Sequence, residues 1–110
     1  MSNSYWIPKC IELKIRLRDE KCVYCKKKML LRYEHSNHSD SPTIEHLSEL
    51  PPFYWKEWMK EDNITICCGS CNSSRGIKKL GEWFNTNYCI NNNINKDTVS
   101  SSVKTYLNNL

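Results

Sequence analysis

Apolar side chains recur at helical spacing near each end of the chain. Positions three to four residues apart lie on one face of an α-helix, so each set predicts a helix with one buried face. The positions are Ile7, Ile11 and Ile15 in the first set and Val99, Val103 and Leu107 in the second. We therefore expect a first helix over 7–21, with Pro8 near its start, and a last helix within 95–110.

Two short runs between these helices are rich in β-branched residues and predict strands. They are TIEHL, residues 43–47, and NITIC, residues 63–67. The segment GSCNSSRGIKKLGEWF follows the second run and predicts a helix that Gly76 interrupts. The connection between the runs contains two prolines and predicts one short helical turn in FYWKEWM, while NNNINK, residues 91–96, predicts a polar linker.

Composition restricts the class of protein. With 110 residues, 39% of them hydrophobic and 25% charged, the chain is expected to form one globular domain over 1–110. It contains no apolar run near the ~20 residues that a membrane span needs. The N-terminal sequence MSNSYWIPKC lacks the apolar stretch of a secretory signal. We therefore expect a cytoplasmic protein, of bacterial or phage origin, with no membrane partner.

Seven cysteines are a high count for this length, and four of them form two CxxC pairs. The pairs are Cys22-Val-Tyr-Cys25 and Cys68-Gly-Ser-Cys71. Zn²⁺ prefers four ligands in a tetrahedron, and two CxxC turns supply four thiolates with little strain. A structural zinc site would connect the front of the domain to the helix after the second pair. Four thiolates and one Zn²⁺ would lower the formal charge from +4 to +2.

Two other uses of these cysteines remain open. Cys22 and Cys25 could join His35 and His38 in a Cys₂His₂ site, although this would leave the second CxxC pair unexplained. A redox function of a CxxC pair would call for a thioredoxin-like βαβ pattern, and the sequence has none. The cysteines outside the pairs are expected to be buried or free thiols. They are Cys10, Cys67 and Cys89.

The motifs CVYC, TIEHL and DNITICCGSCNSSRG together resemble the HNH endonucleases of the ββα-metal (His-Me finger) fold, in the branch with a Cys₄ zinc site. In that family a CxxC pair precedes a strand that ends in an acidic residue and a histidine. A second CxxC pair, followed by Asn and then Lys or Arg with Gly, opens a helix. The resemblance covers residues 22 to about 79 and implies an α+β fold with flanking helices. The implied parts are an N-terminal helix (1–21), a zinc-containing ββα-metal core (22–84) and a C-terminal extension with a helix (85–110).

The resemblance implies metal-dependent hydrolysis of phosphodiester bonds in DNA. His46 would be the general base that activates water, since a free imidazole has a pKa of about 6.5 and accepts protons near neutral pH. Glu45 and Asn72 would hold one Mg²⁺ or Mn²⁺ ion that stabilises the phosphate and the leaving oxygen. Asn63 would be mainly structural, its side chain bracing the loop that carries the histidine strand. The expected phosphate-binding residues are Arg75, Lys78 and Lys79.

This sequence departs from the family pattern in two places. Glu45 stands where Asp or His is more usual, and Glu49 stands where the family has a proline shortly after the histidine. The competing function is a non-catalytic zinc module that binds nucleic acid or a protein, which would have no need of Glu45, His46 and Asn72 together. One HNH site cuts one strand, so a double-strand break would require a homodimer or two sequential events.

Overall fold

The two β-branched runs form a two-stranded antiparallel sheet. The structure is a computed structural model that describes residues 7–30, 40–47 and 63–109. Strand β1 spans Pro42–His46 and strand β2 spans Ile64–Cys68. Glu45 lies opposite Thr65, and His46 lies opposite Ile64. Because β1 is regular to its last residue, Glu45 and His46 point to opposite faces of the sheet.

Helices precede, follow and flank this sheet, so the described part of the chain has the α+β composition that was expected. The helices are α1 (Lys9–Arg18), α2 (Gly69–Arg75), α3 (Leu80–Trp83), α4 (Asn87–Asn91) and α5 (Ser101–Asn108). None of the described helices combines the length and the apolar character needed to cross a lipid bilayer.

Strand β2 lies at the centre of the domain, and all five of its residues are buried. One edge pairs with β1. On the other edge, the Val23 amide donates to the Ile66 carbonyl (3.3 Å), and the Ile66 amide donates to Asp19 Oδ2 (3.1 Å). Arg18 Nη2 donates to the Ile64 carbonyl at 2.7 Å. The C-terminal end of α1 and the first CxxC turn therefore cover an edge that would otherwise be open to another strand.

The core packs around Trp83, a fully buried side chain on α3. Its ring meets Tyr24 edge to face, with centroids 4.8 Å apart, and lies 6.1 Å from the ring of Tyr88. Helix α5 contributes Val103, which is also fully buried, and the Ser100 amide before it donates to the Val23 carbonyl at 2.8 Å. The C-terminal helix thus packs onto the same core as the first CxxC turn.

Some elements end earlier than the pattern predicts. Helix α2 stops at Arg75 because Gly76 adopts φ +55°, a left-handed conformation that L-residues with side chains rarely take. Helix α3 then begins at Leu80.

The stretch 91–96 is not a plain linker, because Ile94 is only 1% exposed and anchors it to the core. The predicted helical turn in FYWKEWM lies outside the described residues.

Candidate functional site

The four cysteines of the two CxxC pairs meet in one cluster, which we call the cysteine quartet (Cys22, Cys25, Cys68 and Cys71). Their sulfur atoms all lie within 4.8 Å of one another, and Cys25 Sγ is 3.8 Å from Cys68 Sγ. A tetrahedron with Zn–S bonds of about 2.3 Å has S–S edges of about 3.8 Å. The quartet can therefore hold a metal ion such as zinc with little rearrangement, and the predicted meeting of the two pairs is confirmed.

Each half of the quartet is formed by a tight local turn. The Cys22 amide donates to the Lys27 carbonyl, and the Lys26 amide donates back to the Cys22 carbonyl, both at 3.0 Å. Lys26 closes this turn with φ +67°. In the second half, Cys68 Sγ accepts from the Cys71 amide at 3.5 Å and so caps the start of α2. The quartet thus connects a hairpin turn to the junction of β2 and α2.

The thiols are too close together for all of them to ionise without a cation. Hydrogen bonds from Cys68 and then Cys71 lower the pKa of Cys22, so the quartet readily holds one negative charge. The hydrogen bond to Cys22 raises the pKa of Cys71, and burial raises it further. A divalent cation relieves this repulsion and allows four thiolates, which is why metal binding at such sites releases protons.

Tyr88 on α4 adds a hydrogen bond to the quartet that no motif indicated. Its hydroxyl lies 3.3 Å from Cys71 Sγ and 2.9 Å from Ser70 Oγ. A hydroxyl that donates to a thiolate disperses its negative charge, and outer hydrogen bonds of this kind tune metal affinity. Ser70 can in turn donate to the Tyr88 oxygen, which orients the phenol toward the sulfur.

We expect Tyr88→Phe to weaken zinc binding by about 10- to 100-fold and to speed zinc transfer to a chelator. The aromatic ring stays in place, so the fold should persist. Competition with a colorimetric chelator measures the affinity, and Tyr106→Phe on α5 removes the same group as a control. Equal affinities of Tyr88→Phe and Tyr106→Phe would show that the hydroxyl has no effect on the metal.

The end of β1 carries a buried ion pair. Glu45 is 5% exposed and Arg75 is 2% exposed, and Arg75 Nη1 lies 3.1 Å from Glu45 Oε2. The Tyr24 hydroxyl donates to the same oxygen at 2.6 Å. Burial raises the pKa of Glu45, and the Arg75 guanidinium opposes that rise. Burial also raises the pKa of Tyr24, with the charge of Glu45 adding to it, so the phenol keeps its proton and donates it to Glu45.

Arg75 does not have the surface position expected of a phosphate ligand. Its side chain points inward, and its hydrogen bonds go to Glu45, to the Tyr24 hydroxyl and to backbone carbonyls. The physical reason is its position on α2. Arg75 follows Cys71 by four residues and therefore shares the buried face of the helix. The expected contact between Arg75 and DNA phosphates is replaced by a contact with Glu45.

The side chain of Asn72 connects α2 to β1 by hydrogen bonds. Its Nδ2 donates to Thr43 Oγ1 at 3.0 Å and to the Ile44 carbonyl at 3.3 Å. Both bonds use the amide nitrogen, so the carbonyl oxygen of Asn72 keeps its lone pairs. Among the described residues, no group donates to Glu45 Oε1 either. Each residue expected to bind the catalytic ion therefore retains one available oxygen, although Glu45 shares its other oxygen with Arg75.

The remaining predicted site residues lie at the end of β1, at the start of β2 and in the turn after α2. His46 ends β1 and is half-buried, with its Nε2 atom inaccessible to solvent. The backbone carbonyl of Asn63 accepts from the Leu47 amide at 2.9 Å, a bond that any residue could make, so bracing by the Asn63 side chain stays a prediction. Lys78 and Lys79 are exposed in the turn after α2. His35 and His38, of the alternative zinc site, lie outside the described residues.

Comparison of the chain with protein-family models gave no match, and neither did comparisons with curated proteins and with solved structures.

Proposed function

We propose that this protein is a metal-dependent HNH-type endonuclease that hydrolyses phosphodiester bonds in DNA. The observation that carries the proposal is the order β1–β2–α2 with the cysteine quartet at the start of α2. Asn72 follows the quartet directly and its side chain reaches β1, the strand that ends in Glu45 and His46. A ββα-metal core with its zinc site accounts for this arrangement and for the motifs together.

His46 is the general base in this proposal. It lies at the last position of β1, where the chain turns away from the sheet, and Asn63 holds that turn through the Leu47 amide. Because Glu45 and His46 point to opposite faces of β1, the proposal places the phosphate beyond the end of the strand, where both side chains can approach it. The solvent-inaccessible Nε2 implies that the ring must gain access to water when DNA binds.

The proposed catalytic ion is Mg²⁺ or Mn²⁺, for which Glu45 Oε1 and Asn72 Oδ1 are the available protein oxygens. Hard divalent ions take such oxygen ligands and keep several waters, which leaves positions for a phosphate. When bound, the ion supplies positive charge for the developing negative charge on the phosphate and for the leaving oxygen. Arg75 beside Glu45 partly neutralises the carboxylate, so we expect weak, millimolar-range binding of the ion in the absence of DNA.

DNA is the proposed partner because exposed lysines follow each of the two CxxC pairs along the chain. Lys26, Lys27 and Lys28 follow the first CxxC pair, and Lys78 and Lys79 follow α2. Lysine contacts of this kind bind phosphates without reading the base sequence.

A second function, a non-catalytic zinc module that binds nucleic acid, is favoured by one observation. The Glu45–Arg75 pair is complete without any added ion, as expected of a purely structural pair. The two functions share the zinc site and the lysines. They differ in whether bound DNA is cut.

Nicking of a supercoiled plasmid separates these functions. Zinc-loaded protein, freed of loosely bound metal by dialysis rather than by a strong chelator, is titrated with Mg²⁺ or Mn²⁺. We expect conversion of supercoiled DNA to open circles that depends on the added ion. DNA that is bound, as shown by gel shift, but stays intact with both ions across pH 6–9 would support the binding module and refute the nuclease.

A further inference from the structure

Arg75 donates hydrogen bonds from all three nitrogens of its guanidinium group. Nη1 donates to the His46 carbonyl at 2.9 Å and to Glu45 Oε2 at 3.1 Å, and Nη2 donates to the Leu47 carbonyl at 2.9 Å. Nε donates to the Lys78 carbonyl, also at 2.9 Å. The Arg75 guanidinium thus holds Glu45, His46 and Leu47 at the end of β1. It also holds the turn after α2 through Lys78.

We infer that Arg75 is a positioning residue that holds the backbone carbonyls of His46 and Leu47 and the carboxylate of Glu45, and so fixes the direction of the His46 imidazole ring. The inference rests on the proposed function, in which His46 is the base. It assigns Arg75 a role different from the phosphate contact expected from the sequence. It also predicts that removal of Arg75 affects His46, although the two side chains need not touch.

The geometry of guanidinium explains why this position carries arginine. The group offers five N–H donors in a fixed plane, so it can serve carbonyls on several sides at once, whereas an ammonium is a compact point charge with no fixed plane. Glu45 supplies the counter-charge that makes burial of the cation tolerable. Tyr24 donates to the same Glu45 oxygen at 2.6 Å and accepts from Arg75 Nη1 at 3.4 Å. Arginine, glutamate and tyrosine therefore fix one another as well as the backbone.

The bond from Arg75 to Lys78 extends this role to the DNA-facing turn. Lys78 is exposed, and the next residue, Lys79, begins the approach to α3. Because one guanidinium bonds the Lys78 carbonyl and the carbonyls of His46 and Leu47, the lysine turn and the end of β1 keep a fixed separation. A phosphate held at the lysines would then meet the histidine at a constant distance, which is what in-line attack requires.

The test compares Arg75→Lys with Lys78→Ala, a variant that should lose a phosphate contact and one exposed hydrogen bond to the Ser74 carbonyl. The readouts are the imidazole NMR signals of His46, the steady-state nicking parameters, and the salt dependence of DNA affinity. The chain has three histidines, so His46→Ala assigns the relevant signals. Val103→Ala on α5 serves as a control for general loss of stability, and zinc content is measured for every variant.

We expect Arg75→Lys to move the His46 signals and to lower kcat by about 10- to 100-fold, with KM changed less than about twofold. Its salt slope should match that of the wild type. Lys78→Ala should instead lower the slope of log K against log salt by about one, leaving the His46 signals in place. Val103→Ala should lower thermal stability without moving those signals.

Unchanged His46 signals in Arg75→Lys, together with a reduced salt slope, would overturn the inference and restore the phosphate role. If Arg75→Lys fails to fold, Tyr24→Phe provides the second variant. It removes the hydroxyl bonded to Glu45 Oε2 and should move the same signals by a smaller amount; no movement there counts against the inference. Should the wild type not cut DNA at all, the proposed function fails, while the NMR comparison still decides whether Arg75 holds His46.

Discussion

Replacing Cys71 with alanine should leave the protein without zinc and without a cooperative fold. Cys71 is fully buried, and its sulfur lies in the quartet that connects the 22–27 turn to the start of α2. Structural zinc supplies about 10–16 kcal/mol in small zinc domains, whereas a whole domain has a net stability of about 5–15 kcal/mol. Loss of one ligand removes most of that contribution. Circular dichroism and metal analysis of the purified variant measure the effect.

Cys67→Ala is the matched control, because it makes the same change at the neighbouring position. Cys67 is also fully buried, but its sulfur faces Thr43 Oγ1 at 3.7 Å and lies outside the quartet. We expect this variant to keep one zinc per chain and to lose only about 1–2 kcal/mol of stability. If Cys71→Ala retained a full equivalent of zinc and melted cooperatively like Cys67→Ala, the quartet would not be the structural metal site.

Replacing His46 with alanine should reduce the rate of plasmid nicking by about 10²- to 10⁴-fold, the range typical of removing a general base. DNA affinity should stay within about twofold, because the proposed phosphate contacts come from lysines. Zinc content should not change either. The quartet residue Cys68 lies opposite Pro42, at the first residue of β1, whereas His46 is the last residue of that strand. Rate constants under single-turnover conditions measure the loss without interference from product release.

His38→Ala provides the control for loss of a histidine, since the motif analysis places His38 outside the nuclease residues. It should nick DNA at the wild-type rate. Equal rates in wild type and His46→Ala would remove the histidine from the mechanism. Equal losses in His46→Ala and His38→Ala would point to histidine-dependent folding or metal binding instead.

Local sequence signals were sufficient for the quartet and the strands. The CxxC spacing identifies a turn that can present two thiolates, and the meeting of two such turns requires only the usual zinc geometry. The β-branched runs matched β1 and β2 to within one residue. Gly76 also marked a real helix end, because its positive φ is a purely local property.

Partners that meet only in the folded chain could not be predicted in the same way. Tyr24 and Glu45 are 21 residues apart, and Glu45 and Arg75 are 30 residues apart. No local pattern reports such a pairing. One signal for Arg75 was nevertheless present, since its four-residue spacing from Cys71 puts it on the buried face of α2. Tyr88 had no comparable signal, and Ile94 was hidden in a run of asparagines whose composition alone favours a linker.

X-ray absorption at the zinc edge is the most direct test of the central claim that one zinc held by four sulfurs organises β1, β2 and α2. The quartet predicts one zinc per chain with four sulfur neighbours at about 2.3 Å and no nitrogen shell. A first shell of two sulfurs and two imidazole nitrogens at about 2.0 Å would contradict it, and would assign the metal to the alternative site with His35 and His38.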